Sequence, residues 1–135
     1  MGGGKSVVDS LPAGKGRSVV DSQYITMQLS NFPFNTVDWS TVPREEHAGE
    51  TGTAWWQVQH MNNIRVRMVE YSPGYKADHW CSKGHIILCL EGEMETELAD
   101  GRVMKLSKGM CYFVGDNNEA HRTSTKNGCR LYIVD

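Results

Sequence analysis

Glu93-Met94-Glu95-Thr96-Glu97-Leu98, then Ala99-Asp100-Gly101, then Arg102-Val103-Met104-Lys105-Leu106 is the stretch that decides the fold. In its first half charged and apolar or small side chains alternate, which places them on opposite faces of an extended chain. Asp-Gly between two strand-like runs is the strongest short-range signal for a hairpin. The same alternation returns in Ile64-Arg65-Val66-Arg67-Met68. Working outward, β-type runs at Phe32–Trp39, Ala54–His60, Ile64–Tyr71, His85–Leu90, Glu93–Leu98, Arg102–Leu106, Met110–Val114, His121–Thr125 and Arg130–Val134 alternate with turn residues. Ser72-Pro73-Gly74 and Asp116-Asn117-Asn118 mark further turns. A short helical turn is expected only within Val42–Glu50, where Pro43 and Gly49 bound it. Many short strands and no long helix predict an all-β, single-domain antiparallel sandwich or jelly roll.

The chain has 135 residues, enough for one domain with its own core. Fourteen Lys and Arg against sixteen Asp and Glu leave a formal charge of −2. That balance gives no basic surface for a nucleic acid or an anionic membrane. No apolar run approaches the ~20 residues of a membrane span. Residues 1–26 contain two near copies of one heptad, Gly4-Lys5-Ser6-Val7-Val8-Asp9-Ser10 and Gly16-Arg17-Ser18-Val19-Val20-Asp21-Ser22. With few large apolar groups this segment reads as a tag or a disordered leader, and Met27 as a plausible start of a domain over 27–135. All four Cys, all five His and all four Trp belong to that domain. Cysteines without an export signal read as free thiols in a reducing compartment, so a cytoplasmic location is expected.

His79, Cys81, His85 and His121 form the constellation with metal-ligand spacing. His79 and Cys81 are two apart and would share a face of an extended chain. Ser82-Lys83-Gly84 allows a turn that brings His85 alongside, and His121 would arrive from a distant strand. Imidazoles and a thiolate suit zinc, iron or copper, with Zn(II) favoured over Fe(II). His47, His60, Cys89, Cys111 and Cys129 are expected to be ordinary structural residues. If all four candidates bind, the set is closed and suits a structural zinc; if Cys81 stands aside, three His leave an open site suited to dioxygenase-like chemistry. Asp78, Tyr75, Met68, Glu70 and Tyr112 are candidates to support the site or wall a pocket. Arg65 and Arg67 are expected to face solvent or a subunit interface, and Glu93, Glu95 and Glu97 to form an exposed row protecting an edge.

The spacing from Gly74 to Gly92 resembles the first motif of the cupin superfamily, G-x5-H-x-H-x3–4-E-x6-G. Gly74 is followed after four residues by His79-Trp80-Cys81, after three more by His85, and after six more by Gly92. Cys81 stands at the second His of that motif and His85 at its Glu. Gly109 through the loop Asp116–Ala120 to His121 resembles the second motif. The residue types of Asp78-His79-Trp80-Cys81, together with Glu50-Thr51-Gly52-Thr53-Ala54-Trp55-Trp56, Val69-Glu70-Tyr71-Ser72-Pro73-Gly74-Tyr75 and Lys83-Gly84-His85, resemble the DHCW-motif cupin-fold proteins. The resemblance implies a cupin jelly roll with one divalent transition metal. Two functions remain open: a metalloenzyme acting on an unknown small molecule, or a non-catalytic binding or sensing module. A homodimer is expected, with Phe32–Trp39 as the candidate exchanged strand.

Overall fold

A computed structural model describes residues 28–135, so the expected leader at 1–26 lies outside the described residues. The alternating runs become strands β1 Glu45–Ala48, β2 Thr53–Met61, β3 Ile64–Tyr71, β4 His85–Leu98, β5 Val103–Ser107, β6 Cys111–Val114, β7 His121–Ser124 and β8 Cys129–Val134. Every strand pair is antiparallel. The hydrogen-bonded order is β1-β2-β3-β8-β4-β5, with β6 and β7 also paired to β4. This is the all-β antiparallel architecture the alternation predicts.

Strand β4 organises the rest. Its first half pairs with β8 and β6, and its second half with β5 and β7. The change comes at a β-bulge between Cys89 and Glu91, followed by Gly92 at φ 75°. A side chain at Gly92 would collide with the Gly128 carbonyl, so the crossing of β4 and β8 requires glycine there. Laid out straight, a strand of this length would separate its ends by roughly 45 Å. Yet Leu98, at the far end, pairs with His121, whose ring centroid lies 5.2 Å from that of His85 at the near end. The bulge therefore curls the sheet back on itself. Val69, Ile87, Cys89, Met94, Leu106, Cys129, Leu131 and Ile133 fill the resulting core.

Several sequence expectations are corrected. Phe32–Trp39 is irregular rather than a strand. Pro33 has no N–H for a ladder, Asn35 accepts from the Thr36 N–H, and Asp38 caps a 3-10 turn over Trp39–Thr41 through the Ser40 N–H. The expected helical turn within Val42–Glu50 is instead β1, recruited by the open edge of β2. His85–Leu90 and Glu93–Leu98 are one strand, not two. Glu93, Glu95 and Glu97 consequently lie on a strand paired along both sides rather than on an edge, and Glu93 and Glu97 meet Lys105 at 3.4 Å and Arg122 at 3.2 Å. The Asp100-Gly101 hairpin is present, closed by the Leu98 N–H donating to the Arg102 carbonyl at 2.8 Å. No described helix is long and apolar enough to cross a membrane.

Candidate metal centre

Cys81 and His121 are placed together by the backbone itself. They form an isolated antiparallel bridge, with N–H to carbonyl distances of 2.8 and 2.9 Å, so their side chains leave the same side of the pair. The connection from Cys81 to His85 is clamped from across the sheet. The Gly84 N–H donates to Asp116 Oδ1 at 2.7 Å, and the Asn117 N–H donates to the Ser82 carbonyl at 2.7 Å. A Cβ on Gly84 would stand 2.7 Å from the Asp116 nitrogen, so only glycine lets the two loops approach this closely. His85 then opens β4 opposite Val114.

Cys81 Sγ, one nitrogen of His85 and one of His121 lie within 4.8 Å of one another, an arrangement that could hold a metal ion. The imidazole tautomers follow from their partners. His121 Nδ1 lies 2.8 Å from the Glu119 carbonyl, which can only accept, so Nδ1 carries the proton and Nε2 a lone pair. That Nε2 is buried and has no hydrogen-bond partner among the described residues. His85 Nδ1 lies 2.9 Å from Asp135 Oδ2 and donates to it, which likewise turns a lone pair at Nε2 toward Cys81. The Cys81 Sγ to His85 Nε2 distance is 3.5 Å. Two ligands on one tetrahedral zinc, at ordinary Zn–S and Zn–N lengths, stand about 3.6 Å apart. The Lys83 N–H donates to Cys81 Sγ at 3.4 Å and helps to hold the sulfur in place. An orphaned buried nitrogen, a supported sulfur and matching spacing fit a transition-metal ion.

Behind His85 stands a group that the sequence reading did not single out. The Asp135 side chain is only 1% exposed. Besides His85 it accepts from Arg65 Nε at 2.9 Å, Arg65 Nη2 at 3.1 Å and Arg67 Nη2 at 2.9 Å. Burial alone would raise its carboxyl. The His85 and Arg65 hydrogen bonds and the two guanidinium charges outweigh that and hold it well below the usual carboxylate range. Arg67 is 5% exposed, not at a solvent or subunit face as its alternation with Val66 suggests. Both faces of β3 are covered at this point, because Val66 is buried as well. On the outer side Gln57 Nε2 donates to the Trp39 and Val42 carbonyls at 2.7 and 2.8 Å and holds the N-terminal segment against the sheet. The missed signal was periodicity: Leu131, Ile133 and Asp135 are two apart, so the inward row of β8 continues directly into the carboxylate.

His79 does not join the cluster. The chain bends at Asp78 and His79, so the expected sharing of a face with Cys81 does not arise. Its side chain is 73% exposed, and Nδ1 meets Asp78 Oδ1 at 2.6 Å. Asp78 thus orients an imidazole, but one turned to solvent, and that hydrogen bond holds its carboxyl below the usual value. Trp80 lies outside too, with the Arg122 guanidinium 4.7 Å over its ring. Of the other candidates Tyr112 is nearest the cluster, its ring centroid 6.2 Å from that of His121. Burial pushes its hydroxyl up to about 12 despite hydrogen bonds to Thr96 and Thr123. Tyr75 stacks on Tyr71 at 4.2 Å. Met68 occupies the opposite face of β3 from Arg67, and Glu70 is exposed and paired with Arg44. His47 packs on Trp56, His60 is exposed, Cys89 and Cys129 are core residues, and Cys111 is exposed.

No family model matches the sequence, and no curated protein matches it. Solved structures do match in shape. A predicted oxalate decarboxylase from Thermotoga maritima superposes with a TM-score of 0.64 at 17% identity, over 74% of this chain and 96% of that one. The polyketide cyclase RemF from Streptomyces resistomycificus gives 0.62 at 24%, over 76% and 78%. A sugar phosphate isomerase of the cupin superfamily from Silicibacter pomeroyi gives 0.59 at 12%, over 74% of each chain. The fold is a cupin fold. At these identities the likeness concerns shape, and the chemistry in those names belongs to those proteins. Within this cupin fold, Cys81, His85 and His121 are the three described side chains whose ligand atoms converge.

Proposed function

We propose that the protein is a metal-dependent cupin that binds one divalent transition ion through Cys81, His85 and His121 and acts on a small molecule at the remaining coordination position. The observation that carries this reading is the buried His121 Nε2, whose lone pair has no hydrogen-bond partner among the described residues and which belongs to a cluster with Cys81 Sγ and His85 Nε2. Three protein ligands leave a tetrahedral ion one open position, the arrangement of catalytic rather than structural zinc. The closed four-ligand alternative would need His79, whose exposed ring is tied to Asp78. A thiolate with two imidazoles favours Zn(II) over Fe(II). When bound, such an ion supplies Lewis-acid activation of a substrate oxygen or a water. The chain's own contribution is positional. Asp135 and the Glu119 carbonyl fix both imidazoles, and the Lys83 N–H supports the sulfur. The run Asp78-His79-Trp80-Cys81 and its neighbourhood support placing the chain with the DHCW-motif cupin-fold proteins.

The test is elemental analysis of protein purified without added metal, followed by titration of the metal-free protein with Co(II). One equivalent of metal and a thiolate-to-cobalt absorption band, absent in Cys81→Ser, are expected. A chain that purifies metal-free and takes up neither Zn(II), Co(II) nor Fe(II) overturns the reading.

A further inference from the structure

Two guanidinium groups, one buried and one half-buried, stand beside the cluster. Arg65 and Arg67 face a single buried carboxylate, Asp135, and the other Asp and Glu side chains among the described residues are exposed or half-exposed. Arg65 is satisfied by its two-pronged contact with Asp135. Arg67 is not. Its Nη2 donates to Asp135, but its Nε is buried and has no partner among the described residues. The guanidinium is held 4.4 Å over the Trp56 ring, so it is stacked in place rather than free to turn toward water. A buried cationic donor without an acceptor is costly unless something supplies one. Asp135 Oδ2 accepts from both Arg67 and His85, which places this open N–H one residue removed from the metal cluster.

We propose that Arg67 Nε anchors the carboxylate of a small organic acid bound beside the Cys81, His85 and His121 cluster. One oxygen of the carboxylate accepts from Nε, the donor that the protein itself leaves without an acceptor among the described residues. The ligand's other polar atoms are left to face the metal position, which lies one residue away through Asp135 and His85. The metal reading is needed for that second contact only. The anion contact belongs to the chain alone.

The experiment uses the full chain and two probes of equal shape, propanoate and propanamide, at constant ionic strength. The Arg67 Nε–H signal is followed by two-dimensional NMR and assigned by its loss in Arg67→Lys. Propanoate is expected to shift this signal saturably in both metal-free and Zn(II)-loaded protein, and propanamide to leave it unmoved. Arg67→Lys keeps the charge and the pairing with Asp135 but lacks Nε. It should bind propanoate more weakly by about tenfold or more, read from tryptophan fluorescence, because a hydrogen bond to a charged group has been removed. Equal binding of the amide, full affinity in Arg67→Lys, or no shift at saturating propanoate would each overturn the proposal. A chain that takes up no metal but still shows the propanoate-specific shift sinks the metal reading and leaves the Arg67 site standing.

Discussion

His85 Nδ1 donates to Asp135 Oδ2 at 2.9 Å, and the same oxygen accepts from Arg67 Nη2 at 2.9 Å. A carboxylate that orients an imidazole also makes its other nitrogen a better metal ligand. Asp135→Asn is therefore expected to weaken metal binding by roughly 10–100-fold, read by competition with a chromophoric chelator. It should also cost on the order of 3 kcal/mol of stability, because the buried Arg67 guanidinium loses its counter-charge and the half-buried Arg65 its partner. An unchanged metal affinity would show that the hydrogen bond is incidental to the site.

His79 and His121 separate the three-ligand site from the four-ligand one. His79→Ala is expected to retain one equivalent of bound metal with less than about 0.5 kcal/mol change in stability, as for an exposed side chain. His121→Ala should lose the metal. Equal losses in both variants, measured by elemental analysis after gel filtration, would place His79 back among the ligands.

Metal removal should destabilise the fold in proportion to affinity. An ion at 100 times its dissociation constant raises stability by about 2.7 kcal/mol. A chelator should therefore lower the melting temperature of wild type and leave His121→Ala, expected to lack the metal, unmoved. Calorimetric scans with and without chelator decide this.

Gly92 and Gly101 both have positive φ, 75° and 99°, but only Gly92 has no room for a Cβ. Gly101→Ala is expected to cost about 1 kcal/mol, the backbone penalty alone. Gly92→Ala must also displace the Gly128 carbonyl and should cost at least about 3 kcal/mol by urea unfolding. Equal costs would mean that the approach of β4 to β8 is relaxed.

The Cys129 thiol, pushed up to about 12 by burial and the neighbouring Cys89, makes stability depend on alkaline pH. Its ordinary value is 9.0, so the unfolded chain loses this proton first. Between those values the folded state binds more protons than the unfolded one, and stability falls as pH rises. The decline should be shallower in Cys129→Ala by on the order of 1 kcal/mol per pH unit, measured by urea midpoints from pH 8 to 11. Identical slopes would refute it.

What the sequence made readable was local. Alternation in Ile64–Met68 and Glu93–Leu98 gives strands, and Asp100-Gly101 gives a hairpin, because both depend only on neighbouring residues. Cys81, His85 and His121 could be grouped because their spacing sets which turns can join them. His79 was grouped with them on the assumption of an extended chain, which the bends at Asp78 and His79 break. Arg67 and Asp135 could not be paired from sequence. Their contact spans β3 and β8, and although the row Leu131 and Ile133 points on to Asp135, nothing local marks Arg67 as inward when both faces of β3 are covered. The Phe32–Trp39 segment failed for a related reason, since its short polar side chains bind their own backbone in place of a ladder.

The bulge in β4 counts residues as well as bending the strand. Before it the inward side chains are the odd-numbered His85, Ile87 and Cys89, and after it they are the even-numbered Met94, Thr96 and Leu98. One extra residue switches the parity. Without it Glu93, Glu95 and Glu97 would point into the core, and Met94 and Thr96 out of it. The segment from Cys89 to Gly92 should therefore accept substitution at Leu90 far more readily than deletion of any one residue, because its length, rather than its composition, keeps three glutamates in water.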